Sequence, residues 1–152
     1  MHKLGAFAAF VFLVLPPVAV AAPACGLYQY RAEITDVYDG DTVTADIDLG
    51  FNTWRRGERL RLFGIDTPEL KGPDRALGLA ARDALRSRIL GKRVIICTIK
   101  DDNSSAEQRE KYGRYLAKIY VDDESINDWL VREGFARSYS GGARQLFSVP
   151  AQ

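Results

Sequence analysis

Three short stretches of the sequence gather side chains able to do chemistry. Asp39-Gly40-Asp41-Thr42 reads as a tight turn that sets a carboxylate beside backbone carbonyls at a strand's start. The run from Arg61 through Asp66, Thr67 and Pro68 to Glu69 delivers an arginine from a strand, then two carboxylates from the loop after it. Pro68 fixes its own φ and so stiffens the display of Asp66 and Glu69. Lys111-Tyr112-Gly113-Arg114 is a glycine-hinged loop carrying two cations. Each stretch alone has a plain structural reading: a common Asp-Gly turn, a helix-entry cap, a surface charge. Their combination says more. Carboxylates chelate hard cations such as Ca²⁺ or Mg²⁺. Arginines meet phosphoryl oxygens with two-pronged hydrogen bonds, and a spare glutamate can take a proton from water. These are the parts needed to hydrolyse a phosphodiester.

Composition narrows the choice further. The chain has 152 residues, 47% hydrophobic and 27% charged, with 13 Gly, 6 Pro and 2 Cys, as expected of one globular domain. Its single histidine is His2. Residues 1–24 read as a signal peptide: His2 and Lys3 precede the apolar run Ala6 to Leu15, Pro16-Pro17 end it, and small residues follow. That run is shorter than the roughly 20 residues of a spanning helix, which weighs against the alternative of an N-terminal anchor. Cleavage near Ala21 to Ala24 frees residues 25–152 as a single exported domain, periplasmic or secreted, with no membrane attachment and no histidine. Ser-His-Asp triads, Cys-His dyads and His-ligated zinc are thereby excluded. The 21 Lys+Arg against 20 Asp+Glu balance once Lys3 is removed, so a polyanion would have to be held by a local site rather than a global field. Cys25 and Cys97 can form one disulfide in an oxidising compartment, or remain two unrelated thiols.

The elements that must position the three stretches follow from periodicity. Tyr28–Val37 reads as a strand. After the Asp39-Gly40 turn, Thr42–Leu49 alternates, with Val43, Ala45, Ile47 and Leu49 on one face. Gly50–Gly57 reads as a long hairpin loop and Arg59–Ile65 as the next strand. From Leu77 the period turns helical through Ala81, Leu85 and Ile89, with Gly91 as a C-terminal stop. Lys92–Ile99 and Tyr115–Val121 are strands flanking a polar loop. Ser125 with Asp128 resembles a capping box, opening a short helix with Ile126, Trp129 and Leu130 inward and Gly134 at its end. Phe135–Tyr139 reads as a last short strand. This order suits a mainly β chain with helices, an α+β Greek-key barrel with two packed helices.

At this level the chain resembles the staphylococcal nuclease (thermonuclease) family. The stretches ITDVYDGDTV, RLRLFGIDTPE, EKYGRYLAKIY and NDWLVREGFAR carry the resemblance, in family order, over roughly residues 28–140. It implies an OB-like five-stranded barrel and a monomeric hydrolase of DNA and/or RNA that uses Ca²⁺ and leaves 3′-phosphate ends. By motif, Asp41 and Asp66 resemble the carboxylate ligands of the ion, with Thr67 adding its backbone carbonyl. Glu69 matches the carboxylate that activates or positions the attacking water. Arg61 and Arg114 match the pair that neutralises the phosphate, and Lys111 and Tyr112 the contacts to a terminal phosphate. The chain departs from the family in a longer hairpin containing Trp54-Arg55-Arg56, a shorter loop after Glu69, and an ending SGGARQLFSVPAQ where a third helix is expected. Two other readings compete. A non-catalytic OB-type nucleic-acid binder would not need Asp41, Arg61, Asp66, Glu69 and Arg114 together. In a carboxylate-based glycosidase, the flanking arginines would repel an oxocarbenium transition state.

Overall fold

The computed structural model describes Cys25 and residues 28–101, 106–142 and 146–147. The proposed signal peptide lies outside these residues. Five strands close a barrel: β1 (Gln29–Val37), β2 (Thr42–Asp48), β3 (Trp54–Leu62), β5 (Arg93–Thr98) and β6 (Tyr115–Val121). The sheet order is β3-β2-β1-β5-β6, and a parallel β3–β6 pairing, Leu60 opposite Tyr115 to Leu62 opposite Ala117, shuts the ring. The other pairings are antiparallel. Two short strands, β4 (Ile65–Asp66) and β8 (Arg137–Ser138), pair with each other outside the barrel, and β7 (Glu124–Ser125) pairs with β6. Helices α1 (Arg75–Ile89) and α2 (Ile126–Arg132) complete the OB-like α+β architecture expected from the sequence.

The barrel forms because its strands alternate. Ile34, Val43, Leu60, Ile96 and Ile119 fill the interior at 0% exposure, and Leu85 and Ile89 of α1 and Ile126 and Leu130 of α2 join the same cluster. Burying each such side chain is worth about 1.5–3 kcal/mol. Cys25 and Cys97 are joined as a disulfide across 72 residues, Cα–Cα 5.7 Å, which fastens the start of the described chain to β5. A loop of that length contributes on the order of 4 kcal/mol in the chain-entropy model.

Three local expectations change. Leu49 is 47% exposed instead of facing inward with Ile47, because β2 ends at Asp48, whose carboxylate accepts from Gly50 N–H to open the turn. The hairpin loop is shorter than Gly50–Gly57, since Trp54–Gly57 already belongs to β3. The register slips between Ala45 and Ile47, and Asp46 accepts from Gly57 N–H at the irregularity. In α2 the fully buried polar residue is Asn127, whereas Trp129 is only partly buried. Asn127 accepts from Ile119 N–H and donates to the Phe63 and Ala117 carbonyls, so it ties α2 to β6 and to the turn after β3. Ser125 caps α2 as expected, accepting from Asp128 N–H. Gly91 follows the helix end at Leu90 in a left-handed conformation, φ 69°.

Candidate active site

The turn between β1 and β2 is built by its own side chain: Asp39 accepts from Asp41 N–H at 3.0 Å, and Tyr38 N–H donates to the Thr42 carbonyl. This places Asp41 at the head of β2, 2% exposed. The β3 strand ends beside it, with Leu62 N–H donating to the Asp41 carbonyl and Arg61 opposite Thr42. The next turn and β4 bring Asp66 to the same place, also 2% exposed.

Two glycines set how closely these segments approach. A Cβ on Gly40 would lie 2.9 Å from Thr67 Cβ and Oγ1 and 3.0 Å from Ala81 Cβ. A Cβ on Gly78, buried on α1, would lie 2.3 Å from the Glu69 carbonyl oxygen, well inside any real contact. The helix backbone thus presses directly on the Pro68–Glu69 peptide and holds Glu69 where its side chain is exposed to the cleft.

Charge is concentrated here and shared. Arg61 Nη1 donates to Asp41 Oδ1 at 2.8 Å, while its Nη2 lies 3.9 Å from Asp66 Oδ1. Thr42 Oγ1 also donates to Asp41 Oδ1, and in turn accepts from Arg114 Nη1 at 2.7 Å. Arg114 is anchored from its other side by Glu110, Nε to Oε1 2.9 Å. Burial works against the Arg114 charge, but the Glu110 hydrogen bond, with Asp41 and Asp39 near it, outweighs burial and holds the guanidinium above its ordinary range. Burial likewise pushes the Glu110 carboxyl up, and the Arg114 side chain with the Tyr112 and Arg114 backbone N–H groups pulls it below 4.5.

The residues singled out by motif converge. Asp41, Arg61, Asp66, Thr67, Glu69, Lys111, Tyr112 and Arg114 all line one cleft of about 680 Å³. Asp39, Glu110 and Tyr139 line it too. Sequence reasoning missed Arg137, whose Nη2 donates to Asp66 Oδ2 at 2.8 Å across the β4–β8 pair. It also missed Glu110 and the close approach at Gly78. The Trp54-Arg55-Arg56 segment lies away from this cleft: Arg55 pairs with Glu58, and Arg56 pairs with Asp46 and stacks on Trp54.

Among the described residues no group of three or more His, Cys, Asp or Glu gathers to hold a metal. Asp41 and Asp66 offer two carboxylates flanking one guanidinium, and Thr67 adjoins them. That donor set is all oxygen and fits a hard cation, with carbonyl and water oxygens completing the six to eight that calcium takes. Chemically the cleft can bind a phosphate diester between Arg61 and Arg114 with a carboxylate at hand.

Comparison with known proteins agrees. The family model described as "Staphylococcal nuclease homologue" matches residues 59–147. The thermonuclease of Staphylococcus intermedius is 35% identical over 105 residues, 67% of this chain and 55% of that protein. The thermonuclease of Staphylococcus hyicus is 28% identical, over 70% of this chain and 57% of its own length. The SPbeta prophage-derived endonuclease YokF of Bacillus subtilis (strain 168) is 33% identical, over 65% and 31%. The chain spans little more than half the length of the two thermonucleases. The matched stretch contains Arg61, Asp66, Thr67, Glu69, Lys111, Tyr112, Arg114 and Arg137, while Asp41 precedes it.

Proposed function

The chain belongs to the staphylococcal nuclease homologue family, and from that premise we propose that it is a Ca²⁺-dependent phosphodiesterase acting on DNA and/or RNA. The observation that carries the reading is the convergence of two buried carboxylates, two arginines and an exposed glutamate on one cleft. Asp41 and Asp66, with the Thr67 carbonyl, would hold the cation. When bound, the ion offsets negative charge building on the phosphoryl group.

The rest is work for the chain's own side chains. Arg61 and Arg114 enter the cleft from separate elements, each already oriented by a carboxylate. They bind the phosphoryl oxygens and stabilise the charge that develops as water attacks phosphorus. Preorganised donors of this kind need no reorganisation at the moment of reaction. Glu69, held by the α1 backbone at Gly78, takes the proton of the attacking water. The bond to the 5′-oxygen breaks, that oxygen takes up a proton from solvent to leave as a 5′-hydroxyl, and the 3′-phosphate remains. Lys111 and Tyr112 contact a terminal phosphate at the cleft's edge. A binding module without turnover would have no need to bury Asp41 and Asp66 beside Arg61 and Arg137, since taking such charges out of water is costly even when they are paired.

We also infer that residues 1–24 direct export, that residues 25–152 act as one monomeric domain, and that the Cys25–Cys97 disulfide suits an oxidising compartment. No helix of the described residues is long and apolar enough to cross a membrane. The deciding experiment incubates the mature protein with single-stranded DNA and with RNA, in Ca²⁺ and in excess chelator. Cleavage in Ca²⁺ with 3′-phosphate ends, lost in chelator, is expected. Undiminished turnover in chelator would rule this site out.

A further inference from the structure

A groove of about 820 Å³ lies across β1 and β5, away from the cleft. It interleaves Arg31, Arg56 and Arg93 with Glu33, Asp48, Asp122 and Asp123, so it offers no consistent sign to a polyanion. A smaller groove of about 470 Å³ differs in kind. It is lined by Glu58, Arg59, Tyr112, Gly113 and Arg114, and shares Tyr112 and Arg114 with the catalytic cleft. The two therefore adjoin along a wall formed by Tyr112 and Arg114.

Arg59 and Arg61 stand two apart on β3, opposite Thr44 and Thr42 of β2 in register, and so present to the same face. Their surroundings differ. Arg61 is shared between buried carboxylates, whereas exposed Arg59 makes no ion pair among the described residues. Its guanidinium lies over the Tyr38 ring, 5.0 Å from the centroid. Tyr38 is 55% exposed and Tyr112, which lines the groove with Arg59, 73%; Lys111 and Arg114 lie over the Tyr112 ring, 4.8 and 5.9 Å from its centroid. Tyr38 directly precedes Asp39, which lines the cleft, so its position is fixed by the same turn that places Asp41. The one carboxylate in the groove, Glu58, is neutralised by Arg55. An exposed cation outside any ion pair among the described residues, stacked on one exposed ring and sharing a groove with another, resembles what a nucleic-acid strand meets in sequence-independent binding: phosphate on the cation, bases on the rings.

We propose that Tyr38 and Arg59, with Tyr112 on the wall shared with the cleft, form a subsite for the nucleotide adjoining the scissile phosphate. The subsite rests on the nuclease reading of the cleft but is tested apart from it. Binding of a fluorescein-labelled single-stranded DNA 12-mer is read by anisotropy in chelator, across a salt series, for the wild type, Arg59→Gln, Arg59→Lys and Tyr38→Ala. Each loss of a stacking partner should weaken binding about tenfold. Arg59→Gln should lower the salt slope by about 0.7, Tyr38→Ala and Arg59→Lys should not, because only the first removes a phosphate contact. In Ca²⁺, the ratio of kcat/KM for the 12-mer to that for thymidine 5′-(4-nitrophenyl phosphate), which fills the cleft alone, should fall about tenfold in Arg59→Gln and Tyr38→Ala. Wild-type 12-mer binding that both variants retain, or no wild-type binding at all, overturns the subsite. Wild-type binding lost in the variants without cleavage of either substrate upholds the subsite and sinks the nuclease reading instead.

Discussion

At one end of β3, Arg61 lies between Asp41 and Asp66; at the other, Arg55 and Arg56 lie beside Glu58 and Asp46. Both ends carry similar charges on the same strand. They differ in burial and in sharing. Asp41 and Asp66 are 2% exposed and draw on the same guanidinium, so moving or removing any one of the three changes the others. At the hairpin end each arginine has its own carboxylate and stands in solvent, side-chain exposures being 49% for Arg55 and 68% for Arg56. Exposed pairs of that kind contribute little, whereas buried charges persist only where a fold is built to hold them. Charge alone therefore does not mark the site. What marks it is charge held out of water by several elements at once.

Substitutions at matched positions can break this contrast. The largest effect is expected at Asp66. Asp66→Asn keeps the shape but removes a carboxylate on which Arg61 and Arg137 converge, and turnover should vanish; Asp46→Asn, its counterpart at the hairpin, should leave turnover intact. Nuclease assays at saturating Ca²⁺, with circular dichroism to check the fold, decide this. Equal losses in the two variants would refute the contrast. Next comes Arg61→Lys, which keeps charge but not the two-pronged contact, and should lower kcat by a factor on the order of 10²–10³. Arg55→Lys should keep wild-type kcat. Near-normal kcat in Arg61→Lys would take that arginine out of the mechanism.

The sequence made much of this legible, and the exceptions share a cause. The β6 strand, Tyr115–Val121, occurs where its alternation placed it, and the α1 core positions Ala81, Leu85 and Ile89 are all buried. Both follow from a local period. The cleft residues were legible because the three polar stretches are compact in sequence and the fold brings their ends together. Arg137 was not, because its partner Asp66 is 71 residues away and only the β4–β8 pairing joins them. Asn127 was hidden because an apolar pattern counts only apolar residues, while its burial is repaid by three hydrogen bonds. The start of β3 was missed because Trp54–Gly57 is exposed throughout and has no alternation to read. Gly78 carries no signal in an apolar pattern, and its role exists only once α1 lies on the Glu69 peptide.

That contact supports a prediction of intermediate size. Gly78→Ala drives a methyl into the Glu69 carbonyl, so the helix and the Glu69 loop must separate. Overpacking of this kind costs about 1–3 kcal/mol, here together with a fall in kcat, since Glu69 moves while Asp41 and Asp66 stay. Gly57→Ala, at the hairpin, meets no atom within 4 Å, although φ 68° still strains it. It should lose some stability and no kcat. Urea unfolding and kcat measured on the same preparations separate the two outcomes; a Gly78→Ala enzyme with normal kcat would show that Glu69 needs no such brace.

A smaller effect follows from pH. The Glu110 carboxyl is held below its ordinary 4.5, so its contribution is fully present above 4.5 and is lost as the pH falls through the lowered value. Glu110→Gln should cost roughly 1 kcal/mol at pH 7, and the gap from wild type should close in acid. It should also loosen Arg114 and lower kcat at neutral pH. A gap that is the same at pH 7 and pH 3 in urea unfolding would mean that the carboxylate's charge does not hold Arg114.

The smallest effect belongs to Arg56, and its smallness is informative. Arg56 pairs with Asp46 and lies over the Trp54 ring, 5.3 Å from the centroid, so a charge, a hydrogen bond and a cation–π contact are all lost in Arg56→Gln. Yet the Asp46 carboxyl is pulled down first by Gly57 N–H and only second by Arg56, so the backbone hydrogen bond that steadies the irregularity in β3 survives the substitution. The pair is exposed, and water replaces what the arginine supplied. Stability should be nearly unchanged, and neither kcat nor 12-mer affinity should move. A fall in 12-mer affinity comparable to that of Arg59→Gln would place the hairpin on the path of the nucleic acid, extend the subsite past the bulge, and erase the distinction between the two ends of β3.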